Sequence, residues 1–188
     1  MMTRVINFYG GPGSGKSTMA AALFADLKFR GVNCELVTEY AKEKVWELGD
    51  TQAAGALVFN AEDYLFSKQH YRLRRCEGRV DVIITDSPLL QKLIYIDKCD
   101  LPSLRPVILD AYALYDNHDF FVVRAKLYNP KGRYQTEDQA RVMDGVIREK
   151  LATCTLHHGL TDINYGRWTI KNLAKSIVNA SPDAGKTQ

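Results

Sequence analysis

The most constraining feature of this sequence is a glycine-rich loop, Gly10-Gly11-Pro12-Gly13-Ser14-Gly15-Lys16-Ser17. It fits the pattern G-x-x-x-x-G-K-[ST], follows an apolar segment and precedes an amphipathic one. Glycines in this arrangement let backbone N–H groups and the N-terminus of the next helix surround phosphate groups. The alternative, a turn that only connects a strand to a helix, does not require all of these residues in this context. The sequence therefore predicts a phosphate-binding loop.

The loop residues have distinct predicted roles. The Lys16 ammonium should reach the β- and γ-phosphates of a nucleotide, and the Ser17 hydroxyl should ligate Mg²⁺. The sequence lacks the N-K-x-D motif of guanine-specific proteins, which makes ATP the expected nucleotide. The predicted cofactors are therefore ATP and Mg²⁺, with nucleotide contacts expected from Gly11, Gly13, Ser14, Gly15, Lys16, Ser17 and Thr18.

Strand-like apolar segments alternate with helical ones along the chain. This pattern predicts an α/β fold of three layers, in which helices cover both faces of a parallel sheet. We predict strands at Val5–Tyr9, Cys34–Thr38, Val80–Thr85, Phe120–Val123 and Asp162–Tyr165. We predict helices at Gly15–Arg30, Glu39–Leu48 and Thr51–Cys76, at Pro88 and Pro106, and behind a capping box at Thr136–Gln139. Their buried faces should include Leu57, Ala61, Tyr64 and Leu65, and then Val142, Met143, Val146, Ile147 and Leu151.

Length and composition indicate one domain in a reducing compartment. A chain of 188 residues suits a single domain, predicted at residues 1–180 with a lid loop near 124–136 and a disordered tail at 181–188. The four cysteines are widely spaced, so we expect reduced thiols, although Cys154, His157 and His158 leave a partial metal site as an alternative. The absence of a leader-like or membrane-spanning segment predicts a cytoplasmic protein without a membrane partner.

Acidic residues follow two of the predicted strands, where ligands bind in parallel sheets. Asp86 follows Val80–Thr85 and is predicted to hold Mg²⁺ together with Ser17. Its alternative role is an N-cap, shared with Ser87, for a helix at Pro88. Glu39 follows Cys34–Thr38 and is predicted to position or deprotonate an acceptor, or else to be a favourable acid at a helix N-terminus.

Two basic segments are candidates for contacts with anions. The predicted lid carries Arg124, Lys126, Lys131 and Arg133, and we expect Arg124 and Arg133 to stabilise the transferring phosphoryl group. The stretch Lys68–Arg75 fits either a solvated helix end or a surface that follows a nucleic-acid backbone while Tyr71 stacks on a base. A formal charge of +3 does not decide between these alternatives.

The chain resembles P-loop nucleoside and nucleotide kinases in three places: the phosphate loop, the run Val37–Glu43, and Thr85-Asp86-Ser87-Pro88. The run around Glu39 is similar to nicotinamide riboside kinase domains, and the whole is similar to phage-encoded kinases that include enzymes acting on hydroxymethyl-pyrimidines, such as hydroxymethyluracil, in DNA. Deoxynucleoside kinases usually carry an arginine after the aspartate, where this chain has Ser87. The resemblance implies a five-stranded P-loop NTPase sheet in the order 2-3-1-4-5, and a host-cytoplasmic location if the chain is phage-encoded.

Two classes of function follow from these observations. The first is an ATP-dependent kinase that catalyses transfer through Lys16, Glu39, Asp86, Arg124 and Arg133 to a nucleoside-like small molecule or modified DNA. The second is a switch ATPase that acts on a protein or nucleic-acid partner. A GTPase lacks support because its motifs are missing, and an AAA-type motor usually carries a helical lid domain for which the chain leaves little room. The sequence leaves the oligomeric state open, with a homodimer among the compatible states.

Overall fold

The computed structural model describes residues 2–49, 61–96, 101–125, 136–154 and 159–180. Five strands form one sheet in the order β2-β3-β1-β4-β5, and every neighbouring pair is parallel. This order confirms the predicted P-loop NTPase fold. The strands are β1 (Arg4–Tyr9), β2 (Cys34–Val37), β3 (Val82–Thr85), β4 (Asp116–Val123) and β5 (Thr161–Asn164).

Helices connect the strands and cover the sheet. Within the described residues they are α1 (Lys16–Phe29), α2 (Tyr40–Leu48), α3 (Glu62–Arg74), α4 (Leu104–Ala113), α5 (Glu137–Ala152) and α6 (Arg167–Asn179). A short 3₁₀ helix, Leu89–Ile94, follows β3. None of the helices in this part of the chain is both long enough and apolar enough to cross a membrane.

Alternate residues of β1 point into two separate hydrophobic cores. Val5 and Tyr9 pack in a core with α3, α4, α5 and the 3₁₀ helix. Ile6 and Phe8 pack in a second core with α1 and α6. Because β1 lies in the middle of a sheet covered on both sides, these side chains are apolar on both faces, while Asn7 between them is polar and buried. This arrangement establishes the three layers that the sequence predicts.

Strand β4 begins four residues before the predicted start at Phe120. Its polar start pairs with β1, and Asn7 Nδ2 donates hydrogen bonds to Asn117 Oδ1 (2.9 Å) and Asp119 Oδ1 (2.8 Å). The Tyr112 hydroxyl donates to Asp119 Oδ2 over 2.6 Å. This hydrogen-bonded network allows polar residues inside the sheet. A search for apolar runs in the sequence does not detect strand residues of this kind.

Several helix predictions need correction. Tyr64 and Val142 were expected on buried faces, but they are 42% and 69% exposed, because each lies at the margin of its helix's apolar stripe. Pro106 is the third residue of α4, where its missing N–H is equally harmless. Pro88 is the N-cap of a 3₁₀ helix instead of the first residue of an α-helix.

The structure tests only those remaining helix and domain predictions that fall on described residues. The capping box is confirmed, since Thr136 and Gln139 exchange hydrogen bonds at the start of α5. The third helix is described from Glu62 to Arg74, so the part predicted from Thr51, including Leu57, lies outside the described residues. The tail at 181–188, most of the lid, Cys99, His157 and His158 also lie outside them. Cys34, Cys76 and Cys154 are free thiols.

Candidate nucleotide-binding and phosphoryl-transfer site

The phosphate loop joins β1 to α1 at the carboxyl end of the sheet, as the sequence predicts. Gly15 is the N-cap of α1 and has a φ of 109°, a value that L-residues with side chains rarely adopt. A Cβ atom there would lie 2.5 Å from a ring carbon of Tyr165, which directly follows β5. The glycine is therefore required both by the backbone conformation and by the approach of this ring.

The N-terminus of α1 is suited to hold an anion. No side chain caps this helix, and its first turn contains no acidic residue. Ser17 and Thr18 are exposed there, while Ser14 is fully buried and its Oγ has no hydrogen-bond partner within the described ranges. Free N–H groups and the positive end of the helix dipole attract phosphate groups. These features fit the predicted nucleotide contacts.

The Lys16 side chain folds back over the loop. Its Nζ donates hydrogen bonds to the carbonyl oxygens of Gly10 (2.6 Å) and Gly11 (3.2 Å). Burial lowers the pKa of Lys16, while the carboxylates of Glu39, Asp86 and Asp144 oppose that shift. The ammonium is therefore hydrogen-bonded to the loop, and the charges of three acidic side chains favour its protonated form.

Asp86 follows β3 and is buried, with 4% of the residue exposed. Its Oδ1 has no hydrogen-bond partner among the residues that the structure describes. The alternative N-cap role is not seen, because Pro88 is the N-cap of the 3₁₀ helix and no side chain caps that helix. A buried carboxylate oxygen without a donor is costly unless a ligand satisfies it. Asp86 and the exposed Ser17 hydroxyl are hard oxygen donors, so they fit Mg²⁺.

Glu39 follows β2 and precedes α2 directly. It occupies the N-cap position, but its side chain makes no capping hydrogen bond. Its charge acts on Lys16 and also on Glu62 and Tyr95. The charge of Glu39 is therefore felt both at the phosphate loop and at a second polar cluster.

That second cluster was not found from the sequence. Glu62 at the start of α3 forms an ion pair with Lys92 of the 3₁₀ helix at 3.5 Å, and both side chains are almost fully buried. In the described part of the chain, no hydrogen-bond donor reaches either carboxylate oxygen of Glu62 or the Oε1 atom of Gln91. Burial raises the pKa of Glu62, and the nearby charge of Lys92 lowers it. The Gln91-Lys92 pair inside an otherwise apolar segment is the signal that would have indicated this cluster.

Arg124 is held by Asp144, another residue that sequence reasoning missed. Arg124 Nε and Nη2 donate to Asp144 Oδ2 over 3.1 and 3.0 Å, and Nη1 donates to the Pro12 carbonyl over 2.9 Å. Asp144 Oδ1 accepts the Gly11 N–H over 2.5 Å. Because Asp144 lies in the middle of α5, one carboxylate connects this helix to both the phosphate loop and the end of β4.

Gly11 is enclosed by this arrangement. A Cβ atom on Gly11 would lie 2.6 Å from both the Ala140 carbonyl oxygen and Asp144 Oδ1. The close approach of α5 therefore requires glycine at this position. Contact of Arg124 with a phosphoryl group stays a prediction, and so does the role of Arg133, which lies outside the described residues together with Lys126 and Lys131.

Comparison with known proteins agrees with this geometry. The sequence matches the AAA domain family over residues 5–169. No curated protein matches it. Among solved structures, a NadR protein crystallised in complex with NR is similar, with a TM-score of 0.65 and 15% identity over 93% of this chain. The match covers 51% of the NadR chain, so this chain spans about half of its length, and at this identity the likeness shows the fold alone. Because the family match includes the phosphate loop, all five strands and the acidic strand ends, the chain belongs to the AAA domain family, with a P-loop NTPase fold.

Proposed function

We propose that this chain is an ATP-dependent kinase that transfers the γ-phosphoryl group to a hydroxyl of a nucleoside- or nucleotide-type acceptor. The observation that carries the proposal is the placement of two carboxylates, Glu39 and the buried Asp86, after the neighbouring strands β2 and β3. Neither carboxylate caps a helix. One carboxylate suffices to hold Mg²⁺, and a second one beside the phosphates suits a proton acceptor.

Each residue has a defined part in the proposed reaction. The acceptor oxygen forms a bond to the γ-phosphorus as the bond to the β,γ-bridging oxygen breaks, and ADP leaves. Glu39 takes the proton of the acceptor hydroxyl. Lys16 and the N-terminus of α1 hold the phosphate oxygens. Ser17 and Asp86 would hold Mg²⁺, which when bound offsets negative charge on the β- and γ-phosphates.

The buried cluster beside Glu39 supports a nucleoside-type acceptor. Glu62 and Gln91 present three oxygens for which the described residues provide no hydrogen-bond donor. Hydroxyl and amino groups of a nucleoside are such donors. The likeness of the sequence around Glu39 to nicotinamide riboside kinase domains, and of the fold to a NadR protein in complex with NR, points to the same acceptor class. A hydroxymethyl-pyrimidine carried by DNA belongs to the same chemical class.

A switch ATPase that acts on a partner is the second candidate function. Membership of the AAA domain family supports this second candidate, because hydrolysis of ATP coupled to a partner requires the same phosphate loop, Ser17 and Asp86. It does not require a proton acceptor at Glu39 aimed at an organic hydroxyl. The two functions therefore differ in whether label from ATP reaches an acceptor or only water.

The test is transfer of γ-labelled phosphate in the presence of Mg²⁺. The acceptor panel should contain nucleosides, nucleoside monophosphates, nicotinamide riboside, and DNA with hydroxymethyl-pyrimidines. Label on one acceptor establishes the kinase and identifies its substrate. Release of free phosphate at a rate that no acceptor changes would favour the switch ATPase.

Two variants separate the proposed roles. Lys16→Ala should abolish transfer while the circular dichroism spectrum stays unchanged. Glu39→Gln should lower kcat by about 100- to 10,000-fold, the usual range for loss of a general base, with little change in ATP affinity. Arg141→Ala is a matched control, because this side chain is 61% exposed and, among the described residues, its ion pair is with Glu137 on the surface of α5. An unchanged kcat in Glu39→Gln removes Glu39 from the proton-acceptor role.

A further inference from the structure

An exposed face of α3 alternates aromatic and basic side chains. Tyr64, Lys68, Tyr71 and Arg75 recur at spacings of four, three and four residues, which places them on one side of the helix. Tyr64 is 42% exposed and Tyr71 is 68% exposed. The opposite side of α3 packs into the core through Leu65, Phe66 and Leu73. The two tyrosines are therefore not needed for the core packing of this helix.

Helix α2 extends this face sideways. The rings of Tyr40 and Tyr64 meet edge to face with centroids 5.7 Å apart, and their hydroxyls are hydrogen-bonded at 2.6 Å. The Arg72 guanidinium lies 4.7 Å from the centre of the Tyr40 ring, and Lys68 Nζ lies 5.5 Å from that of Tyr64. Cations and aromatic rings are thus arranged together on one surface. We name this surface the α2–α3 platform: Tyr40, Lys44, Tyr64, Lys68, Tyr71, Arg72 and Arg75.

The charges of the α2–α3 platform are only partly neutralised. Arg72 pairs with Glu43 and Lys44 pairs with Glu47. Within the part of the chain that the structure describes, Lys68 and Arg75 form no ion pair with a carboxylate. The platform therefore presents uncompensated positive charge beside exposed aromatic rings.

The platform begins at the proposed acceptor site. Tyr40 directly follows Glu39, and α3 starts at Glu62, whose charge interacts with that of Glu39. From Tyr64 to Arg75 the platform extends about 17 Å along the helix, at a rise of about 1.5 Å per residue. A chain molecule bound along it would therefore pass the carboxylate that is proposed to take the acceptor proton.

We propose that the α2–α3 platform binds single-stranded nucleic acid. Rings such as Tyr71 stack on bases, which are exposed in a single strand, while Lys68 and Arg75 contact the phosphate backbone. An aromatic surface with charge of one sign is the combination that proteins use for such strands. Strand binding by the platform does not depend on the proposed function. The further conclusion that the strand carries the phosphoryl acceptor rests on the proposed function.

Binding is measured without ATP, by the fluorescence anisotropy of a labelled single strand of about 12 nucleotides. Tyr71→Ala should weaken binding by about 5- to 150-fold, the range for loss of one base–aromatic stack. Lys68→Ala with Arg75→Ala should reduce the slope of log affinity against log salt by about 1.4, or about 0.7 for each phosphate that is no longer neutralised. The matched control is Lys171→Ala with Lys175→Ala, which removes the same charge from exposed positions of α6, in the other helical layer.

Three results would overturn the proposal: no saturable binding at about 50 mM salt, an equal loss of affinity in the α6 control, or equally effective displacement of the strand by polyglutamate. The last result would mean that charge alone is recognised. The assay also separates this proposal from the proposed function. Transfer of phosphate to free nucleosides without strand binding refutes only the platform, whereas strand binding without transfer to any acceptor refutes only the kinase.

Discussion

Replacing Asp144 by alanine should destabilise this protein strongly, although Asp144 lies in no motif. The carboxylate accepts hydrogen bonds from Arg124 and from the Gly11 N–H. Only 5% of the Arg124 side chain and 18% of the Asp144 side chain are exposed. Within the described residues, removal of Asp144 leaves the buried guanidinium without a paired carboxylate, because its other acceptors, the carbonyls of Pro12 and Ala140, are uncharged.

The size of the effect follows from this burial. Breaking a buried ion pair by removing one partner costs about 3–5 kcal/mol, because the remaining charge stays desolvated. Unfolding entropy of about 2.1 cal/mol/K per residue converts this cost, for 188 residues, into a fall in Tm of about 8–13 °C. Asp144→Asn should cost less than Asp144→Ala, since an amide oxygen can still accept the Gly11 N–H.

The assay is thermal unfolding followed by circular dichroism, together with urea denaturation. The matched control breaks a surface pair on the same helix: Glu137→Ala removes the partner of Arg141, and both side chains are more than 40% exposed. Exposed pairs of this kind contribute about 0.3–0.5 kcal/mol, so Tm should fall by only about 1 °C. If Asp144→Ala lowers Tm no more than Glu137→Ala does, the Asp144 carboxylate does not join α5 to the phosphate loop.

Three further predictions test other parts of the structure. Gly15→Ala should weaken nucleotide binding, measured by calorimetric titration, because φ of this residue is 109° and the Tyr165 ring occupies the position of a Cβ atom. The control is Gly145→Ala in α5, where a Cβ atom would meet no other atom. This change should stabilise the fold by about 0.5–1 kcal/mol. Lys92→Met should lower the free energy of unfolding by about 3–5 kcal/mol near neutral pH, because Glu62 stays buried without its partner. The loss should be smaller at acidic pH, because burial raises the pKa of Glu62 and the unpaired carboxylate gains a proton as pH falls through that raised value. Urea denaturation at both pH values checks this, and a pH-independent cost contradicts it. Burial lowers the pKa of His70, so the free energy of unfolding should fall as pH drops below about 6.5. Phenylalanine does not titrate, so the free energy of unfolding of His70→Phe should fall less steeply with pH in the same assay.

Local patterns were sufficient to predict the sheet and most of its strand ends. Val5–Tyr9 is apolar on both sides because β1 is covered on both faces, so its composition identifies a central strand. The capping box at Thr136 specifies where α5 begins, since its two hydrogen bonds join residues only three positions apart. Strand β4 was predicted too short because its first residues are polar and depend on Asn7, more than 100 residues away in the chain.

The candidate site shows the same division. Glu39 and Asp86 could be selected from the sequence because each directly follows an apolar strand, and parallel strands end at the same edge of a sheet. Glu62 and Asp144 could not be selected, because nothing near them in the chain marks them, and Lys92 is marked only by its place beside Gln91 in an apolar segment. Glu62 pairs with Lys92 and Asp144 pairs with Arg124, and in each case the partner belongs to another element of the fold.

The sequence by itself determined that a phosphate loop follows a buried strand and opens a helix, because glycine conformations, helix periodicity and strand composition are local properties of neighbouring residues. Only the tertiary structure decided that Arg124 faces Asp144 and the loop carbonyl, that a buried ion pair lies beside Glu39, and that Tyr64 lies on the surface with Tyr40. These features depend on the spatial distance between elements that are far apart in the sequence. The packing of side chains in the two cores sets this distance. A pattern of residue types along the chain contains no such distance.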